Sequence, residues 1–308
     1  MSFVHLHNHT HFSLLDGLAK PIDYILLAKK QGSPAVAITD HGVMYGVIEF
    51  YEKALENDMK PIIGCEIYVA KRARSDKESG IDNKSYHLTL LAETNEGYEN
   101  LIQLVTKAHL EGFYYRPRVD HALLAEHARG LIALSGCLQG EVSAAILSRQ
   151  DEEALKIIKI YQKIFGKENF FLEMLHHPEL PHQAEVNAKI PFLAKETGAP
   201  MVATNDCHYA SKEDSEAHDA LICVQTQSKV ADSDRMHYEG DYSLRSPEEM
   251  REVFSDTPEA LANTLEIARR CRVKLEFDKN LIPAFQTPGN EDSKAYLESL
   301  CQKVLLER

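Results

Sequence analysis

The sequence has no run of eighteen apolar residues and no basic-then-apolar stretch at its start. Nothing in it predicts a membrane span or a secretion leader, so we expect a cytoplasmic, non-membrane protein. CxxC pairs are missing too. The six cysteines (Cys65, Cys137, Cys207, Cys223, Cys271 and Cys301) are widely scattered, which favours reduced thiols, one or two of them as metal ligands, over a disulfide frame. No GxGxxG or GxxxxGK[ST] follows an apolar run, and the nucleotide-binding open sheet loses its main support. Internal repeats and low-complexity tracts are absent. Positive charge is scarce: 34 Lys and Arg face 47 Asp and Glu, for a net charge of -13. Gripping nucleic acid over a broad surface requires cations facing phosphates. The acidic balance therefore argues against a binding module more than against an enzyme that holds a strand end through metals and a few arginines.

What is present is a chain of 308 residues, 44% hydrophobic and 26% charged, enough for a substantial core. Short apolar runs at 3–6, 35–39, 62–70, 87–92, 131–135, 170–175 and 201–204 read as strands. Helical patterns at 21–31, 45–58, 95–110, 140–148, 151–165 and 182–197 alternate with most of them. This order predicts an α/β fold with a parallel sheet covered by helices, and we favour a barrel over an open sheet. The charged stretch 71–85 reads as a solvated loop. Beyond about 211 the alternation stops. SPEEM (246–250) is a helix-start signature, 281–292 resembles a linker, and 293–308 begins an amphipathic helix.

Metal-ligating residue types recur at the ends of these apolar runs. His7 and His9 follow the first and Asp40 and His41 the second. Glu66 lies within the third and His87 opens the fourth. Cys137 follows the fifth, and Asp206 and His208 the seventh. Residues two apart in an extended segment point the same way, so His7 with His9, and Asp206 with His208, can converge. In parallel barrels the working groups gather at the carboxyl ends of several strands. Any one of these residues alone would be an ordinary polar side chain. Together, nine candidates exceed what one ion takes and suit two or three divalent ions, with the thiol favouring zinc and with manganese or iron as alternatives. Closely spaced metals lower the pKa of water and clamp the oxygens of an in-line phosphoryl displacement. Hydrolysis of a phosphate ester without a protein nucleophile is the expected reaction class.

The stretches HLHNHTHFSLLDG, AITDHGVMYG, PIIGCEIYV, LSGCLQGE and ATNDCHY resemble the successive motifs of the PHP (polymerase and histidinol phosphatase) superfamily. Within it, GFYYRPRVD, LICVQT, YEGDYSLRSPEEM and NTLEIARRC are similar to the N-terminal part of the alpha subunits of bacterial DNA polymerase III. The resemblance implies a distorted seven-stranded, TIM-like β/α barrel with a helical C-terminal extension. It places a PHP domain at 1–275 and a linker with the truncated start of a polymerase region at 276–308, without polymerase activity in this stretch. It also implies a metal set of His7, His9, Asp16, His41, Glu66, His87, Cys137, Asp206 and His208, with Asp16 taken from SLLDG. His5 stands where many relatives carry Asp. His5, Asp40 and His177 are expected at the mouth or behind the ligands, and His11 in a solvated loop. Cys65 and Cys207 alternate away from the ligands into the core. Arg116 and Arg118, beside Tyr114 and Tyr115, are candidates for holding substrate phosphate; the alternative is pairing with the many acids. His109, His121, His127, His182, His218 and His237 show no partner pattern and read as surface residues.

Three functions follow from the resemblance. The first is a metal-dependent 3′–5′ exonuclease acting on a primer end, with DNA and the rest of the polymerase as partners. The second is a metal-stabilised structural module that supports the polymerase and docks a separate proofreading subunit. The third, a small-molecule phosphatase of the histidinol-phosphatase type, is disfavoured by the polymerase-like sequence after 211.

Overall fold

The computed structural model describes residues 2–277, 279 and 282–306. In chain order the elements are α1 (Pro21–Lys30), β1 (Ala35–Ile38), α2 (Val47–Glu56), β2 (Lys60–Ala70), β3 (Ser85–Ala92), α3 (Asn95–Leu110), β4 (Arg118–Val119), α4 (His121–Glu126) and β5 (Leu131–Leu134). They continue with α5 (Glu141–Leu147), α6 (Asp151–Phe165), β6 (Phe170–Leu175), α7 (Pro181–Thr197), β7 (Met201–Thr204), α8 (Ser215–Thr226), α9 (Pro247–Val253), α10 (Pro258–Arg270) and α11 (Ser293–Leu306). Residues through Lys274 pack as one compact unit, and those from Leu275 on as a second that contains α11. Residue 281 of the expected linker and residues 307–308 of the expected last helix lie outside the described residues. Among the described residues, no helix is long and apolar enough to cross a membrane.

The helices start where local chemistry predicts. Thr94 caps α3 by accepting from Gly97 N, and Ser246 caps α9 in a capping box with Glu249, each satisfying an amide that the first turn leaves open. Three acids in the first turn of α6 complement the positive end of the helix dipole. Strand β4 and helix α4 were not expected. β4 is only two residues long, and α4 begins where the Asp120 side chain accepts from Leu123 N.

The seven strands form one mixed sheet in the order β1-β2-β3-β5-β6-β7, with β4 on β2 outside this path. The expectation of an all-parallel sheet is corrected at β3, which runs antiparallel to both β2 and β5. A parallel crossover needs a connection long enough to return the chain, usually a helix. The segment 71–84 carries none, and is pinned instead by Arg72 on Asp82, so the chain doubles back. The direction matters for the site, because it brings His87, near the start of β3, level with the carboxyl ends of its neighbours.

The sheet curls into a half-barrel, and the N-terminal segment lies along its seam. Ala37 N donates to His5 O and Thr39 N to Asn8 O; on the other side His9 N donates to Cys207 O and Cys207 N to His7 O. The segment thus joins β1 to the end of β7. It is not the regular strand expected at 3–6, and it has one isolated bridge, Asn8 to Cys207. The Asn8 amide donates to His5 O and Ala37 O, and these side-chain bonds stand in for a backbone ladder. Helix α10 closes the other side: Ile267, Ala268 and Cys271 pack with Val4, Leu6 and Ala37 in one buried cluster. Helix α10, which follows the alternating pattern in sequence, is therefore part of the barrel's own core.

Candidate metal centre

The nine candidate ligands are delivered by seven stretches of backbone. His7 and His9 come from the seam segment, Asp16 from the turn behind it, and His41 from the end of β1. Glu66 in β2 and His87 in β3 are diagonal neighbours across the antiparallel pair, Cys137 follows β5, and Asp206 and His208 follow β7. Asp206 adopts a positive φ of 49°, a left-handed conformation that aspartate tolerates better than most residues. This turn puts Asp206 and His208 on one side while Cys207 between them points back, its Sγ donating to Ser243 O.

Asp16, His41, His87, Cys137, Asp206 and His208 line one solvent-open cavity of about 860 Å³, and the buried His7, His9 and Glu66 lie against them. Asp206 Oδ1 lies 3.1 Å from His9 Nε2 and 3.4 Å from His7 Nε2. Glu66 Oε2 lies 2.6 Å from His41 Nδ1 and 3.1 Å from His87 Nδ1, and its Oε1 is 3.3 Å from His7 Nε2. Asp16 Oδ1 is 3.4 Å from His41 Nε2. Cys137 Sγ stands 3.8 Å from His87 Nδ1 and 4.0 Å from Glu66 Oε1. Three overlapping groups bring their donor atoms within 4.8 Å of one another: His9, His41 and His208; His7, His9 and Glu66; His41, Glu66 and His87.

Six of these atoms are close without being hydrogen-bonded. His7 Nε2, His9 Nε2, His41 Nδ1, Asp16 Oδ1, Glu66 Oε2 and Asp206 Oδ1 are all buried and without a hydrogen-bond partner. Orphaned buried polar atoms are costly. Six of them aimed at shared points are donor atoms that fit a group of divalent ions. The electrostatics agree. Burial opposes charge on Glu66, yet His87, His7 and His41 outweigh it and hold its carboxyl well below the usual range. Asp206 is lowered likewise against burial, by His7 and His208. His9 is pushed down to about 3 by burial and by His41 and His208, which keeps its nitrogen free to bind. Burial and the nearby Glu66 and Asp206 carboxylates push the Cys137 thiol well up.

Several supporting residues escaped the sequence reading. Glu173 in β6 lies 2.7 Å from His7 Nδ1, Ser13 Oγ is 3.1 Å from His9 Nδ1, and the Tyr238 hydroxyl donates to Asp16 Oδ2 at 2.9 Å. One signal was available for Glu173: a lone acid inside the apolar run FFLEML. His218, expected at the surface, is buried in α8 with Nε2 2.7 Å from the Asp16 carbonyl. It packs there because α8 folds back over the SLLDG turn, a contact that no local pattern announces. His109, His121 and His127 are half-buried, each with a hydrogen-bond partner, and His182 and His237 are exposed.

The remaining expectations divide. Asp40 accepts from Thr10 N, Thr10 Oγ1 and Ser13 Oγ, and so orients Ser13 behind His9. His5 is buried against Arg245 O and the Cys207 thiol, one layer behind Asp206, and burial lowers it to about 4. His177 is buried and stacked on Tyr242 at 4.0 Å, outside the cavity lining. Cys65 is buried and donates to Asp40 O. His11 is half-buried against Phe12, not fully solvated. Arg116 is exposed and lines the cavity. Arg118 is corrected: it is 1% exposed, and its guanidinium donates to the carbonyls of Gly112, Asp82, Arg74 and Asp76. It is buried and ties two loops together through four hydrogen bonds, and it does not line the cavity.

The model of the PHP domain matches residues 5–177, more than half of the chain. The chain belongs to the PHP family. It is 42% identical over 311 residues to DNA polymerase III subunit alpha of Treponema pallidum (strain Nichols) and 43% identical over 319 residues to that of Thermus aquaticus. All of this chain is covered in both cases, and it spans 26% of each relative's length. Among solved structures, the histidinol phosphate phosphatase of Lactococcus lactis subsp. lactis, complexed with zinc, L-histidinol and phosphate, aligns at a TM-score of 0.40 and 15% identity, over 73% of this chain and 94% of that one. An amidohydrolase from Chromobacterium violaceum aligns at a TM-score of 0.40 and 14% identity, over 68% and 88%.

Proposed function

We propose that the PHP unit is a metal-dependent phosphoesterase that hydrolyses DNA phosphodiesters from a 3′ end, an exonuclease suited to proofreading. The observation that carries this reading is the convergence of six orphaned buried donor atoms, three of them on residues that line an open cavity. In this reading His7, His9, Asp16, His41, Glu66, His87, Cys137, Asp206 and His208 hold two or three divalent ions, zinc first, with manganese or iron as alternatives. Such ions supply a water nucleophile at neutral pH and compensate the charge of a phosphate. Glu66, faced by four histidines, and Asp206, faced by three, hold the negative charge between the sites. Cys137 gives up its proton when it ligates, which couples metal affinity to pH. Tyr238 holds Asp16 from the cavity wall, and in this reading the exposed Arg116 on the same wall meets a phosphate oxygen.

The match to polymerase alpha subunits supports a primer 3′ end as the substrate and the rest of such a polymerase as the partner, with 1–275 as the PHP domain and 276–308 as a linker and the opening of the next region. A second reading has its own support. The ligands come from both the seam segment and β7, so bound ions would staple the barrel shut, and metal-binding energy would act as folding energy. The barrel would then serve as a scaffold that docks a separate proofreading subunit.

The deciding experiment is hydrolysis of single-stranded and 3′-mismatched DNA by metal-loaded protein, beside Asp206→Ala and His9→Ala, with bound metal counted in every sample. Shortening from the 3′ end by the wild type alone supports the exonuclease. Silence from all three, with ions held only by the wild type, leaves the scaffold reading.

A further inference from the structure

Resting on the phosphoesterase reading, we infer that the cavity rim is a stacking subsite for an unpaired nucleotide, which selects a single-stranded DNA end as substrate. The rim departs from the chain's overall charge. The carboxylates lining the cavity are Asp16 and Asp206, both on the floor, whereas Lys71, Lys84 and Arg116 line the wall. None of these three cations forms an ion pair with a carboxylate among the described residues. Lys71 Nζ instead lies 5.7 Å from the Tyr86 ring and the Arg116 guanidinium 5.6 Å from the Tyr68 ring. Three more rings stand open to water on the same rim: Tyr45, Phe113 and Tyr115 are 64%, 51% and 66% exposed. Open aromatic faces beside unpaired cations match the two halves of a nucleotide, a base with a π-face and an anionic phosphate. Inside a duplex those base faces are already covered, so the rim favours a frayed or unpaired end.

The loop that carries this subsite is built to hold it still. Tyr115 has a φ of 60°, at the tip of a turn closed by Tyr114 N donating to Arg116 O. A non-glycine residue in that region persists where its surroundings over-determine it. Here the surroundings include buried Arg118, whose Nε donates to Gly112 O and whose guanidinium lies 5.4 Å from the Tyr114 ring. Arg118 is thus a positioning residue for Tyr115 and Arg116.

The test is fluorescence anisotropy of a fluorescein-labelled phosphorothioate oligothymidylate titrated with the manganese-loaded 308-residue protein. Tyr115→Gly removes the ring and suits the positive φ; Arg116→Gln removes the charge. Each is expected to weaken binding by at least about fivefold, while Tyr115→Phe binds like the wild type and a blunt duplex competes poorly. Wild-type affinity in either truncation overturns the subsite. So does a loss in Tyr115→Phe equal to that in Tyr115→Gly, or competition by blunt duplex as effective as by single strand. Hydrolysis of bis(p-nitrophenyl) phosphate by the wild type reports the metal centre separately. If it is absent while binding depends on the ring, the phosphoesterase reading fails and the subsite stands. If it is present while binding ignores the ring, the reverse holds.

Discussion

Glu173 Oε1 stands 2.7 Å from His7 Nδ1, and this contact turns His7 Nε2 towards Glu66 and Asp206, at 3.3 and 3.4 Å. Glu173 is itself held: it accepts from Thr204 Oγ1 at 2.6 Å and from Gly136 N at 3.0 Å. A carboxylate on the far nitrogen fixes both the tautomer and the direction of a metal-binding imidazole. Glu173→Gln should therefore weaken metal binding by about 10–100-fold with the far-UV circular dichroism unchanged. Competition against a chromophoric chelator measures this, and wild-type affinity would remove Glu173 from the site.

Chelation should destabilise the wild type through mass action. At an ion concentration about a hundred times Kd, the loaded protein should melt roughly 5–10 °C above the chelated one. Asp206→Asn keeps a side chain that tolerates the positive φ and removes a ligand charge, so the gap should shrink. Calorimetry with and without EDTA reads both; a gap of the same size in the variant contradicts the role of Asp206.

Arg118→Met should cost about 2–4 kcal/mol, because it strands four carbonyls, two of them buried and two part-buried, that now share one guanidinium. Urea unfolding reads the loss. Arg118→Lys should not restore it, since one ammonium cannot span the four acceptors. A loss below about 0.5 kcal/mol would mean the carbonyls find other donors.

A pH effect is expected away from the metal site. The hydrogen bond that His121 donates to the Glu141 carboxylate raises His121 above its ordinary value of 6.5, against burial. The folded state then holds this proton more tightly than the unfolded chain. Its stabilisation is complete below pH 6.5 and is lost as the pH rises through the raised folded value. His121→Gln should flatten that part of the stability-versus-pH curve, measured by urea midpoints across the window. An unchanged curve would show that the pair does not contribute.

Much of the fold could be read locally. The helices at 95–110 and 151–165 have the same ends in the structure as in the sequence pattern, because periodicity, caps and end charges act within one or two turns. Except for the two-residue β4, the strands also fall where apolar runs predict. Candidate ligands could be picked out because the chemistry demands unusual residue types at strand ends. Arg116 and Arg118 show the limit: two residues apart in the sequence, one is open to the cavity and the other is consumed by the backbone of two loops.

The sequence by itself determined which side chains could meet and that they sit at the ends of apolar runs, since both are written in residue type and spacing. Tertiary structure alone decided the reversed direction of β3, the half-barrel closed by an irregular N-terminal segment, and the burial of His218. It also made Glu173 the partner of His7, 166 residues away. The reason is the same in each case. These features depend on which distant segment arrives to satisfy a buried donor or acceptor, and no window of neighbouring residues contains that partner.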